Sequence, residues 1–515
     1  MALKKAGKIV IGSAVGGGIL YAVHTNDYDL NSLGIVRFGR AAVCVSKVAW
    51  DYNRTLYSGN LDSNSKEYLM EKSKVHKRSA ERLLELCKVN GGAFIKVGQH
   101  IGALEYLLPI EYVETMRVLH SKAPQSPLDD IMKVLRTDLN KEPEEIFEAI
   151  DPEPLGAASL AQVHKAKLKD GTTVAVKVQH PLVKAHSLVD MKTMELLVRL
   201  VAWTFPEFQF EWLVEEMKKN LPLELDFRCE GENAERVRRT FSCFPWLKVP
   251  QIYWDLTTDR VLTMEFMDGG QVNDVEYMKE NNISPKDISR KLGDLYSEMI
   301  FVQGYVHCDP HPGNVLVQPA GNGNARIVLL DHGLYLTLGD RFRCTYSKFW
   351  LSILNADLKQ IEKYGEELGV GELFGLFACM VTGRSWNSIL SGIDKQKMSS
   401  QEQNEIQADA SKYLVQIADV LNRVPREMLL IFKTNDLLRS IEYALKTQHS
   451  MSSFITMSRC CVRSVYLEKL KKCNSKWCFV KTSASEKWCQ FKLTLYQLYL
   501  LILFSPIGSL LRLRS

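Results

Sequence analysis

Asp309, Asn314 and Asp331 are three oxygen-bearing side chains in an order that phosphate chemistry can use. The first two lie in Tyr-Val-His307-Cys308-Asp309-Pro310-His311-Pro312-Gly313-Asn314-Val-Leu-Val. The third follows a Gly/Asn-rich turn at 321–324, in Ile-Val-Leu-Leu-Asp331-His332-Gly333. In phosphoryl transfer one Asp orients the attacking oxygen, while an Asn and a second Asp hold the magnesium that neutralises the phosphates. Asp309 suits the first role, Asn314 and Asp331 the second. Asp-x-x-x-x-Asn recurs by chance, and a hairpin flanked by solvated aspartates has the same composition. The full set, in this order with strands between its members, favours the chemical reading.

Such a set works only if strands and helices position it. The apolar runs 315–317 and 327–330 predict paired strands around the Gly/Asn turn. Upstream, a strand, a turn at Asp170-Gly171 and a second strand, Thr-Val-Ala-Val-Lys177-Val, are expected. Val-Ala-Val-Lys is the form of the strand lysine that steadies α- and β-phosphates; an edge-strand lysine is the plainer alternative. That lysine needs a helix glutamate, for which Glu230 is the first choice and Glu224 the second. Arg260-Val-Leu-Thr-Met-Glu265-Phe-Met267-Asp-Gly-Gly has the form of a strand entering a hinge, where backbone at Glu265 and Met267 would meet adenine. A plain strand-to-turn fits those residues equally well.

With 515 residues, 46% of them hydrophobic, the chain can build one large or two medium domains. A formal charge of +5 is too mild for nucleic acid as the main partner. Twelve scattered cysteines lack Cys-x-x-Cys pairs, so reduced thiols are expected rather than a disulfide framework or zinc site. The N-terminus is basic and has no acid before Asp27, with an apolar run over 9–23. At 1.5 Å per residue, about fifteen apolar residues reach only ~22 Å, short of a ~30 Å hydrocarbon core. A secretory signal, a marginal anchor and an organelle-targeting sequence all remain open for 1–25.

Helices are expected from 66 to 120, with Gly91-Gly92 ending the first, and again over 128–139. In the second of these helices Lys96 and Gln99 lie three apart on one face, with Gly98 allowing close backbone approach. A polar pair of that kind is ordinarily solvated. Beyond Leu334 the pattern is helical. The end then turns Lys-rich over 469–492, with Trp477 and Trp488, and apolar over 493–504. A membrane interface and a docked amphipathic helix both suit it.

Six motifs together resemble the UbiB or aarF-domain atypical kinase family. They are Lys96-Val-Gly98-Gln99, the Ala-rich loop 156–163, Val-Ala-Val-Lys177, Glu224-Leu-Asp226 with Glu230 and Asn233, the Asp309–Asn314 run, and Asp331-His332-Gly333. The resemblance covers roughly 63 to 445 and is strongest to the family's mitochondrial members. It implies an α+β, atypical two-lobed protein-kinase-like fold that binds ATP or ADP with Mg²⁺, with a helical C-terminal tail. The implied organisation is a targeting or anchor segment at 1–25 and a helical extension at 63–150 that covers the cleft. An N-lobe at 151–267, a C-lobe at 268–450 and a basic, apolar tail at 451–515 complete it. Gly156, Ala157, Ala158, Ser159 and Val163 would form the phosphate loop. Lys96 and Gln99 would lie over the cleft, where Glu224 and Asp226 could meet them.

Three departures from an ordinary protein kinase bear on activity. Ala157, Ala158 and Ala161 stand where glycines would let backbone N–H groups close on phosphates. Cys308 replaces the Arg that usually precedes the catalytic Asp, and no Ala-Pro-Glu triplet follows Gly333. The expectation is a mitochondrial, inner-membrane-associated kinase or ATPase whose substrate is lipid-like rather than a conventional protein. The family's association with coenzyme Q and mitochondrial lipid upkeep points the same way. The alternative is a catalytically weak scaffold that works through mitochondrial membrane proteins.

Overall fold

The computed structural model describes residues 33–57, 65–103, 108–121, 125–204, 211–392, 402, 413–447 and 452–503. The expected targeting segment at 1–25 and the end of the apolar tail beyond 503 lie outside them. Two compact units are drawn from these residues: one from Met1–Gly231 with Gln251–Phe266, the other from Glu232–Pro250 with Met267–Ser515.

In the first unit, β-branched runs separated by turn residues give an antiparallel sheet. Its strands are β1 (Phe147–Ile150), β2 (Gly156–Ala157), β3 (Ala161–Leu168), β4 (Thr173–Gln179) and a fifth at Val261–Glu265. β1 pairs β3, β3 pairs β4, β4 pairs the Val261–Glu265 strand, and β2 adds to β3. Side chains alternate across a strand. Val174, Val176 and Val178 therefore share one face, packed into a core with Ile131, Val134 and Leu135 of the helix Leu128–Leu139. Lys177 falls on the other face.

A second core in this unit is helical. It joins Ala41 of Gly34–Tyr52, Leu86 and Cys87 of Lys66–Asn90, Phe94 and Ile95 of Ala93–Ala103, and Met191 and Met194 of Val183–Thr204. Ser65 caps the Lys66–Asn90 helix by accepting the Tyr68 N–H, and Gly91 ends it at φ 67°. Gly98 is where the expected close approach occurs, since a Cβ there would meet Leu119 Cδ1 at 2.3 Å. Buried Arg37 ties two of these helices together through Asp190, at 2.8 Å from Nε to Oδ1.

Asp51 anchors Gly34–Tyr52 to the next helix, accepting from Arg78 and Arg82 at 2.8 and 2.6 Å. The Arg78 hydrogen bond, helped by Arg82, holds its carboxyl at about 2. A depressed acid stabilises the fold above its ordinary pKa of about 3.9, and the contribution disappears as pH falls through the folded value. Asp51→Asn is therefore expected to cost on the order of 1 kcal/mol at neutral pH after solvent screening. Urea titrations of the two proteins should converge as the pH approaches about 2.

In the second unit β5 (Leu247–Lys248) pairs in parallel with a strand at Ala325–Leu329. That strand pairs antiparallel with Val315–Pro319, which pairs in turn with Gly270–Gln271. A two-stranded ribbon joins Tyr305–His307 to Tyr335–Thr337. Helices Pro285–Ser297, Asp340–Leu354, Arg426–Ala444 and Ser452–Lys471 are among those that build the rest of the unit. Among the described residues, no helix is long and apolar enough to cross a membrane.

One cysteine expectation is corrected. Cys473 and Cys478 form a disulfide across the turn between Ser452–Lys471 and the last helix, Lys476–Leu503. The turn brings their Cα atoms to 5.6 Å, within disulfide reach, although their spacing in sequence matches no familiar pair. The other ten cysteines are free thiols.

Candidate functional site

Lys177 leaves the sheet on the face opposite the valines, and Glu230 meets it. Both Glu230 carboxylate oxygens accept from Lys177 Nζ, at 2.7 and 2.8 Å. The ammonium also lies 5.2 Å from the Phe227 ring centroid. The sequence suggested one helical stretch carrying both candidate glutamates. Instead one helix ends at Glu224, with Pro222 inside it, and another begins at Phe227. The break separates two jobs: Glu230 takes Lys177, and Glu224 takes Lys96 at 2.5 Å. Asp226 stands in the break, where its carboxylate accepts the Arg228 N–H.

Gln99 reaches the loop between β2 and β3, accepting from Ser159 Oγ at 3.2 Å while donating to the Leu119 carbonyl. That loop is a closed hairpin. Gly156 and Ala157 pair with Val163 and Gln162, and the Ala158 N–H donates to the Ala161 carbonyl at 2.8 Å. The buried His180 ring bonds the Ala158 carbonyl from Nε2 at 3.0 Å. Burial holds the His180 pKa below its usual value. In the expected hinge, the Glu265 N–H is spent on the Gln251 carbonyl at 2.8 Å, and its side chain accepts from the Gln251 N–H. Met267 follows the end of the strand.

In the second unit the hairpin register supports the magnesium pair. Val315 stands opposite Leu329, and the Leu330 N–H bonds the Asn314 carbonyl at 3.0 Å, so Asn314 and Asp331 leave neighbouring strand ends side by side. Asn314 Nδ2 donates to the Asp309 carbonyl at 3.2 Å. One Asp331 oxygen accepts the Gly333 N–H at 2.8 Å. Buried His307 links the two segments: Nδ1 meets Tyr296 Oη at 2.9 Å and Nε2 meets the Asp331 carbonyl at 2.8 Å. Burial lowers the His307 pKa, which keeps a neutral ring with one donor and one acceptor nitrogen. Asn233 extends this frame by bonding the His332 carbonyl and the Tyr305 hydroxyl.

Cys308 is fully buried, and desolvation pushes its thiol up to about 12. It packs where the usual Arg would project, so no cation from this position awaits a phosphorylated loop. The cation that does meet Asp309 was invisible in the sequence. Lys433, on the helix Arg426–Ala444, donates to Asp309 Oδ1 at 3.0 Å from 124 positions downstream. No local motif marks it.

These features define the class as kinase-like, and the sealed alanine loop and Cys308 make it atypical. A family model described as the ABC1 atypical kinase-like domain matches residues 118–365. The chain is 54% identical over 496 residues to the AarF domain-containing kinase 1 of Drosophila melanogaster, covering 94% of this chain and 95% of that protein. It is 53% identical over 507 residues to the AarF domain-containing protein kinase 1 of Gallus gallus, covering 98% and 97%. Among solved structures it resembles Rv3197 of Mycobacterium tuberculosis in its erythromycin complex. There the TM-score is 0.47 and the identity 21%, over 74% of this chain and 95% of that one. The chain belongs to the ABC1/AarF atypical kinase family.

Proposed function

We propose that the protein is a phosphotransferase or ATPase that binds Mg-ATP or Mg-ADP and acts in mitochondrial membrane or quinone upkeep on a lipid-like substrate. The observation that carries the nucleotide reading is the two-oxygen clamp of Glu230 on Lys177. Kinases need this pair in place to hold the α- and β-phosphates. An amide oxygen from Asn314 and a carboxylate from Asp331 are hard donors that fit Mg²⁺, which keeps waters and takes phosphate oxygens for its other positions. Bound there, magnesium would supply neutralisation of the phosphate charge. Asp309 would align the attacking hydroxyl or water, and Lys433 would hold the Asp309 carboxylate in position. The localisation rests on the basic, acid-free N-terminus. Protease protection of fractionated mitochondria tests it, with recovery of the protein outside mitochondria as the contrary result.

The test of the site is thermal. Nucleotide at a hundred times its Kd adds about 2.7 kcal/mol to the folded state, enough to raise Tm by several degrees. Mg-ATP or Mg-ADP is expected to do this for the wild type, and Asp331→Asn to remove the shift. A wild-type protein whose melting ignores both nucleotides would refute the site.

A second reading, a scaffold with weak turnover, is favoured by one observation. The Ala158 amide, which a glycine-type loop would turn toward phosphate, is spent on Ala161. Reintroducing Asp309→Asn at normal abundance into cells that lack the protein separates the two: full rescue supports the scaffold, and loss with intact folding supports chemistry.

A further inference from the structure

The last helix is packed inside out. On Lys476–Leu503 a row of polar side chains faces the neighbouring helix Ser452–Lys471. Arg459 donates to Thr494 and Gln497 at 3.0 and 3.2 Å, Gln490 donates back to the Arg459 carbonyl, and the Tyr466 hydroxyl meets Ser485 at 2.8 Å. Six large apolar side chains point away. Trp477, Val480, Trp488, Phe491, Leu495 and Leu498 are each at least half exposed, from 50% for Phe491 to 76% for Trp477.

At about 100° per residue these six share an arc of roughly 80°, one stripe running about 32 Å along the helix. Exposed lysines line both edges: Lys481 and Lys492 on one side, Lys476 and Lys487 on the other. Lys492 sits 5.7 Å from the Trp488 ring centroid. The one acid of this helix, Glu486, falls on the opposite side.

We propose that this stripe is a membrane-docking surface that lies in the plane of an anionic phospholipid leaflet. An apolar face with tryptophans and edge lysines buries its rings at the acyl boundary while its ammonium groups reach lipid phosphates. Lysines on both edges argue for lipid over a second copy of the chain. A paired copy would bring like charges alongside one another, where coiled-coil partners place opposite ones. The four lysines within the helix also suit lying on the bilayer rather than crossing it. The surface is separate from the nucleotide reading and stands without it.

The test is flotation of the full chain with phosphatidylcholine vesicles, with and without phosphatidylglycerol. Wild type is expected to float with the anionic vesicles, and Trp488→Glu/Leu495→Glu to bind at least about ten-fold less with an unchanged melting temperature, because both side chains face solvent. Lys481→Gln/Lys487→Gln should weaken binding about five-fold per lysine and flatten its salt dependence. The lysine pair decides the matter even if the glutamate variant melts early. Three results would overturn the proposal: wild type ignoring anionic vesicles, all variants floating as wild type does, or a dimer that the glutamate variant dissociates without any vesicle binding.

Discussion

Asp309→Asn is expected to lower phosphoryl transfer or ATP hydrolysis by about 10²–10⁴-fold, the usual worth of a positioned acid–base group. The nucleotide-dependent rise in Tm should survive, because Asn314 and Asp331 keep the oxygens that would hold magnesium and only a 3.4 Å contact from Asn314 Nδ2 to the Asp309 carboxylate is altered. The substitution preserves shape, and the Asn314 bond to the residue 309 carbonyl is unaffected. Lys433 gives the same prediction a second arm. It touches Asp309 Oδ1 at 3.0 Å, so Lys433→Met should reduce kcat by loosening the carboxylate, with little change in the nucleotide KM. Combined with Asp309→Asn it should add almost nothing, since groups that act as a unit are strongly non-additive. Lys433→Arg should recover part of the loss. Steady-state kinetics on wild type and the four variants reads all of this, and independent, multiplying losses would show that Lys433 does not act through Asp309.

The local pieces of this site were legible because each is local. Valines on alternate positions, a Gly/Asn turn and a Lys at the right phase announced the two hairpins, and both formed within a residue or two of expectation. Gly91 and Gly98 each carried a physical requirement, a left-handed φ and a close approach, that the structure uses. What composition could not show was partnership. The sequence ranked Glu230 ahead of Glu224 for Lys177, and the resemblance implied that Glu224 could meet Lys96; what it did not show was the helix break at 225–226 that separates the two acids. Lys433 reaches Asp309 through the packing of a distant helix, which periodicity cannot report. For the last helix the sequence left a membrane interface and a docked amphipathic helix both open, and polar side chains turned out to make the hydrogen bonds to the neighbouring helix.

Lys177→Met should destabilise its unit by about 3–5 kcal/mol, the cost of leaving a buried charge without its main partner. Glu230 is only 4% exposed, so water cannot replace the ammonium that both of its oxygens contact. Glu230→Leu should cost a similar amount by removing the two-oxygen partner of Lys177, although that side chain lies somewhat nearer solvent, at 13% against 5%. Lys177→Met/Glu230→Leu together should be far less damaging than the sum. Well-packed apolar replacements for a buried ion pair are often neutral or stabilising by about 1–4 kcal/mol. Urea unfolding of the four proteins gives the coupling energy directly, and simple additivity would deny that the pair is a unit. The thermal shift with Mg-ATP should be absent from all three variants, including a double variant as stable as wild type. Stability and nucleotide binding would then separate cleanly. A chain that keeps a desolvated lysine and glutamate where methionine and leucine hold the fold as well keeps them for what they bind.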